Sequence, residues 1–204
     1  MNDVKETGRI EAFSDGVFAV AITLLVLAFL PPPPYLTDNA LLQILLSRWP
    51  ELLAFVTSFA TIGIMWINHH RLFTVITRLD NALLGLNLLL LLLIVFVPFP
   101  TALVAQYVVY PTQHVAAILF SGVYLLLATV FNLLWHYAAY ENRLLSRKVN
   151  IETVRSITRQ YRFGPLLYLI TFTLAWIYTP ASLVLNLLLA IFFALPCYPR
   201  RQAV

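Results

Sequence analysis

Polar side chains are scarce in this chain, so the few that interrupt its apolar runs mark where any chemistry must reside. Arg9, Phe13, Ser14 and Asp15 make an Arg-x-x-x-Phe-Ser-Asp pattern at the start of the first apolar stretch, and Asn68, His69 and His70 close the second, just ahead of Arg71. An ionisable group inside a membrane segment is costly and normally faces a partner or water. Arg9 and Asp15 lie about 240° apart around a helix, so they do not share a face and their partners must come from other helices. If the first segment runs outward and the second returns, Asn68, His69 and His70 reach the depth of Asp15, and a polar cluster between the two helices is expected. Such a cluster would fix the first helix, with a histidine as a pH sensor. The plainer reading of the same residues is a structural clamp, or snorkelling to the interface. Adjacent histidines point to different faces of a helix, which argues against a metal site built from both.

Enzyme signatures are missing. The chain has no His-Glu-x-x-His, Gly-x-Ser-x-Gly, P-loop or dinucleotide glycine pattern, and only 9 acidic residues. A Thr-Val-Gly-Tyr-Gly filter is absent too, so any ion path must be built differently. No basic stripe interleaved with aromatics calls for a nucleic acid, and the single Cys197 has no internal disulfide partner. No cofactor is expected.

The elements that position these residues follow from composition. Of 204 residues 61% are apolar and 11% charged, with a mean hydropathy of +0.84. The apolar residues come in blocks of about 20, the length that spans a bilayer as a helix. The first block carries Glu11 and Asp15 and lacks a small-residue cleavage site, so it reads as a retained helix rather than a signal peptide. Six transmembrane helices are expected, over about 9–30, 48–71, 80–98, 112–140, 164–178 and 180–196, as one domain across 1–204. Pro31 to Pro34 stop the first, Ser47 is the expected N-cap of the second, and Pro98-Phe99-Pro100 ends the third. Short interfacial helices are expected over 41–46 and 154–163.

Counting Lys and Arg by side sets the orientation. With six crossings and both termini in the cytoplasm, Lys5, Arg9, Arg71, Arg78, Arg143, Arg147, Lys148, Arg155, Arg159, Arg162, Arg200 and Arg201 fall inside and only Arg48 outside. The class is an all-α integral membrane protein, multi-pass in a cell membrane.

The run from Arg9 through Phe13-Ser14-Asp15 to Leu27 resembles the first helix of the transmembrane protein 175 family of potassium channels. Trp66-Ile67-Asn68-His69-His70-Arg71, the stretch from Asn87 to Leu93 and Pro98-Phe99-Pro100-Thr101 extend the resemblance. It implies a potassium-permeable channel in which helix one of each subunit lines a central pore. A single six-helix repeat is similar to the bacterial forms, which implies a homotetramer in membrane lipid. Carried over by motif spacing, the family's apolar constriction falls on Val20, Leu24 and Leu27, with the Thr23 hydroxyl between them. Val20 is smaller than the residue common at the innermost layer, which implies only a weak preference for potassium over sodium. Positions 20, 24 and 27 do follow one helical stripe, spanning roughly 10 Å. The competing expectation is a proton-coupled secondary transporter using Asp15 and the His69/His70 pair. Transporters of that kind usually have duplicated halves and helices broken near the midplane, neither of which is visible here.

Overall fold

The computed structural model describes residues 7–28, 35–107, 114–147 and 149–194. The four prolines at 31–34, Lys5, Lys148, Cys197, Arg200 and Arg201 lie outside the described residues, as do positions 29–30, 112–113 and 195–196 of the expected helices.

The first apolar block forms α1 (Gly8–Leu24) and tightens into a 3-10 turn over Leu25–Ala28. A short α2 (Asp38–Ser47) is capped by Thr37, whose Oγ1 accepts from the Ala40 amide. α3 (Trp49–Val75) follows directly. Ser47 does not cap it: its hydroxyl donates back to the Ile44 carbonyl at 2.8 Å, closing α2 instead. Arg48 takes the joint and pairs with Glu51 at 2.7 Å, an acidic residue in the first turn of α3, where the helix dipole favours it. α3 also runs past Arg71 to Val75, ending where Ile76 turns extended and pairs with Leu145.

The prolines of the third block mark a joint rather than an end. α4 (Asn81–Phe96) begins at Asp80, which accepts from the Leu83 amide, and α5 (Pro98–Tyr107) continues after Val97. Val97 keeps helical dihedrals, and Pro98 opens α5, where a missing amide donor leaves no hydrogen bond unmade. Thr101 donates its hydroxyl to the Val97 carbonyl at 2.8 Å, stitching the joint together.

α6 (Val115–Ala139) is the central helix, with Phe120, Tyr124, Leu127, Leu134 and Trp135 buried along it. Glu141 and Asn142, both with positive φ, terminate this run, and α7 (Ile151–Arg162) starts at Asn150, whose side chain accepts from the Glu152 amide. α8 (Gly164–Ala175) and α9 (Thr179–Ala194) complete the bundle. α6 packs against α4, α5, α7, α8 and α9, while α1 rests on α3 and α4. Gly122 lets α8 close on α6: a methyl there would sit 3.2 Å from the Phe172 ring.

Among the described residues four helical stretches are long and apolar enough to cross a membrane: Gly8–Leu27, Glu51–Val75, Asn81–Tyr107 and Val115–Asn142. α8 and α9 are shorter. Polar groups among the buried residues pair across helices, as a low-dielectric surrounding demands. Ser58 meets Thr101 at 2.8 Å, Ser121 meets Ser182 at 2.9 Å, and Asn186 donates to Ser121 at 3.0 Å.

Candidate functional site

Helix α1 presents two different faces. Ser14, Phe18, Ala21 and Leu25, at the spacing of one helical stripe, are all buried against the bundle. About 140° round the helix lies the other stripe, formed by Val20, Thr23, Leu24 and Leu27. It is uncovered within the subunit: Val20 is 53%, Leu24 36% and Leu27 68% exposed. Thr23 donates its hydroxyl to the Val20 carbonyl at 2.8 Å, so its oxygen lone pairs face away from the helix backbone. Leu27 sits in the 3-10 turn. The helical repeat carries Arg9 and Phe13, both exposed, onto this same side below Val20.

The rotation of α1 is held by two separate sets of bonds. Asn87 of α4 donates from Nδ2 to Ser14 Oγ at 3.1 Å and accepts at Oδ1 from His69 Nε2 at 2.9 Å. With the Asn87 amide turned this way, the His69 proton must sit on Nε2. The His69 ring is buried between Phe18, at 5.5 Å, and Phe73, at 4.5 Å. One turn away, Asp15 accepts from the Trp66 indole N–H at 2.8 Å. These bonds join α1 to α3 and α4 at the end where the signature residues lie.

The expected single cluster is therefore divided. Ser14 and His69 share Asn87, and Asp15 takes Trp66. His70 is exposed and stacks its ring near Trp66, on a different side of α3 from His69, as adjacent positions on a helix require. Asn68 points elsewhere altogether: it donates to the Phe193 carbonyl at 3.1 Å and accepts from Arg71 at 3.2 Å, tying α3 to the last turn of α9. Asn87 and Trp66 carry roles that motif reading assigned to neither. The signal for Asn87 was present, since it is the one amide inside the run Leu84 to Leu93.

Asp15 and His69 do not share a proton partner, and among the described residues no group of three His, Cys, Asp or Glu side chains is placed to hold a metal. What the geometry provides is a helix held in rotation on one side and uncovered along an apolar stripe on the other.

The chain is similar to known proteins along nearly its whole length. The family model for the endosomal/lysosomal potassium channel TMEM175 matches residues 9–98, the stretch running from Arg9 to the α4–α5 joint. The chain is 53% identical over 191 residues to a potassium channel of Chamaesiphon minutus, covering 93% of this chain and 94% of that one. It is 40% identical over 191 residues to a potassium channel of Streptomyces collinus, covering 93% and 92%. The crystal structure of a lysosomal potassium-selective channel TMEM175 homolog from Chamaesiphon minutus superposes with a TM-score of 0.83 at 50% identity, over 93% of this chain and 96% of that one. Similarity that runs nearly end to end in both sequence and fold, and that takes in the signature of α1, places the chain in the TMEM175 family, a family of ion channels and not of enzymes.

Proposed function

We propose that the protein is a potassium-permeable channel of the cell membrane, a homotetramer of six-spanning subunits with both termini in the cytoplasm and α1 of each subunit around a central pore. The observation that carries this reading is the division of α1 into a bonded, buried stripe and an uncovered stripe of Val20, Thr23, Leu24 and Leu27. Potassium-channel relatives along nearly the whole chain support the ion.

Four copies of that stripe would stack rings of valine and leucine along the axis. Apolar rings of this kind close a pore by expelling water and open it when they separate. The Thr23 oxygens, set between the Val20 and Leu24 rings, would offer a dehydrating cation its only side-chain acceptors in the constriction. Acceptors without a carbonyl cage discriminate modestly between ions, hence a weak preference for potassium over sodium.

Flux into liposomes holding the purified protein tests this. Potassium influx is expected, rising in Leu24→Ala and Leu27→Ala and unchanged in Leu188→Ala, an exposed leucine of α9. Absence of flux at every voltage and pH, or flux indifferent to both α1 substitutions, would sink it. The transporter alternative needs Asp15 and His69 or His70 to act on one proton, and the separate partners of Asp15 and His69, Trp66 and Asn87, speak against the first of these pairs.

A further inference from the structure

Helix α7 lies on α6 with one face and turns an array of arginines outward. On the docked side Trp135 donates its indole N–H to Thr158 at 3.0 Å, Asn132 donates to the Tyr161 carbonyl at 2.6 Å, and the Tyr161 ring meets Phe131 edge-on at 5.2 Å. On the opposite side Arg155, Arg159 and Arg162 are exposed at the i, i+4, i+7 spacing of one stripe. The pore reading uses none of them.

Below this stripe lies an open cleft of about 810 Å³, lined by Glu152, Arg155, Arg159, Phe163, Leu167 and Phe192, among others. Its chemistry changes along its depth. The α7 wall is charged, whereas Phe163 sits at the α7–α8 joint, Leu167 in α8 and Phe192 near the end of α9, and Phe163 and Phe192 are exposed. A cleft of this size falls within the range that holds an organic ligand. Arg162, outside the lining, stands over the Phe163 ring at 5.9 Å.

We infer that this cleft is a binding site for an anionic phospholipid, with the phosphate on Arg155 and Arg159 and an acyl chain along Leu167 and Phe192. An amphipathic helix beside the membrane, basic on its free face, attracts acidic headgroups, and guanidinium pairs with phosphate through two parallel bonds. The apolar floor explains why a lipid rather than a free phosphate is the occupant: aromatic and leucine side chains add nothing for a soluble anion. Glu152, at the N-terminal end of the cleft, biases the phosphate toward Arg159. The chain's own segment after Ala194 is poorly matched, since it carries Arg200 and Arg201.

The test uses full-length protein, delipidated in a neutral detergent, with melting temperature and native mass spectrometry as readouts independent of ion flux. Dioleoyl-phosphatidylglycerol is expected to raise the melting temperature and remain bound as an adduct. Dioleoyl-phosphatidylcholine and soluble glycerol phosphate are expected to do neither. The double variant Arg155→Gln/Arg159→Gln should weaken phosphatidylglycerol binding by about tenfold or more, and Leu167→Asn should weaken it without altering charge. Arg159→Gln alone gives the same readout should the double variant fold poorly. Added salt should reduce the effect. Equal stabilisation by both lipids, equal binding of glycerol phosphate, or an undiminished phosphatidylglycerol shift in the arginine variants would overturn the assignment. So would a change of oligomer size in those variants with lipid affinity unaltered, because it would make the cleft a contact between copies.

Discussion

The amide of Asn87 donates to Ser14 Oγ across 3.1 Å, and its carbonyl oxygen is occupied by His69 at 2.9 Å, so one side chain on α4 sets both α1 and α3. All three residues are buried. Interhelical hydrogen bonds in a bilayer contribute about 0.6–2 kcal/mol each. Asn87→Leu is therefore expected to lower stability by about 1–3 kcal/mol, read as a lower melting temperature in detergent. Ser14→Ala, which removes one of the two bonds, should cost less; equal loss in both would mean the His69 bond contributes nothing.

Asp15 and Trp66 separate the two functional readings. Asp15→Asn keeps an oxygen for the indole N–H and removes only the charge. Under the channel reading potassium flux persists in this variant, whereas a proton-coupled carrier would lose its coupling. Trp66→Phe removes the donor and is expected to cost about 1 kcal/mol. A pH gradient imposed across the liposomes, with flux followed in Asp15→Asn, decides between them.

Thr23 is exposed and among the described residues bonds to its own helix, so Thr23→Val preserves shape and removes the oxygen. Its melting temperature should correspond to a change of less than about 0.5 kcal/mol. Conductance is expected to fall and the preference for potassium over sodium to disappear, measured as a reversal potential under bi-ionic conditions. An unchanged reversal potential would remove Thr23 from the ion path.

Asp80 makes acid sensitivity predictable. Partial burial pushes its carboxyl up, but the Leu83 amide, the Tyr137 hydroxyl and the Arg143 guanidinium outweigh that and hold it below the ordinary carboxylate value. A group lowered in the folded state contributes stability that is fully present above the unfolded pKa, about 3.9, and is lost as pH falls through the folded value. The Asp80 contribution to the melting temperature should thus be constant around neutral pH and decline below about pH 4. Arg143→Gln, which removes a 2.7 Å ion pair, should make that decline smaller, because the folded value rises toward the unfolded one. Asp80→Asn, which still caps α4, should flatten it.

Much of the molecule follows from local chemistry that the chain states outright. Blocks of apolar residues long enough for a bilayer must be helical, because no other backbone can satisfy its own polar groups there. Asp80 caps α4, and the Arg-x-x-x-Phe-Ser-Asp run marks the start of α1, for reasons contained in neighbouring residues. The partners of the polar groups are not local. Asn68 and His69 are adjacent, yet one holds the last turn of α9 and the other α4, because a single residue step turns a helix by about 100°. Pro98 reads as a terminus and proves to be a joint, since Val97 keeps its helical dihedrals and the hydroxyl of Thr101 reaches back across it. Sequence alone thus determined that these segments are membrane helices and which of them carries the signature. Only the tertiary structure decided how α1 is rotated, which of its faces is bonded and which is left uncovered, because rotation is set by the sum of contacts that distant helices make.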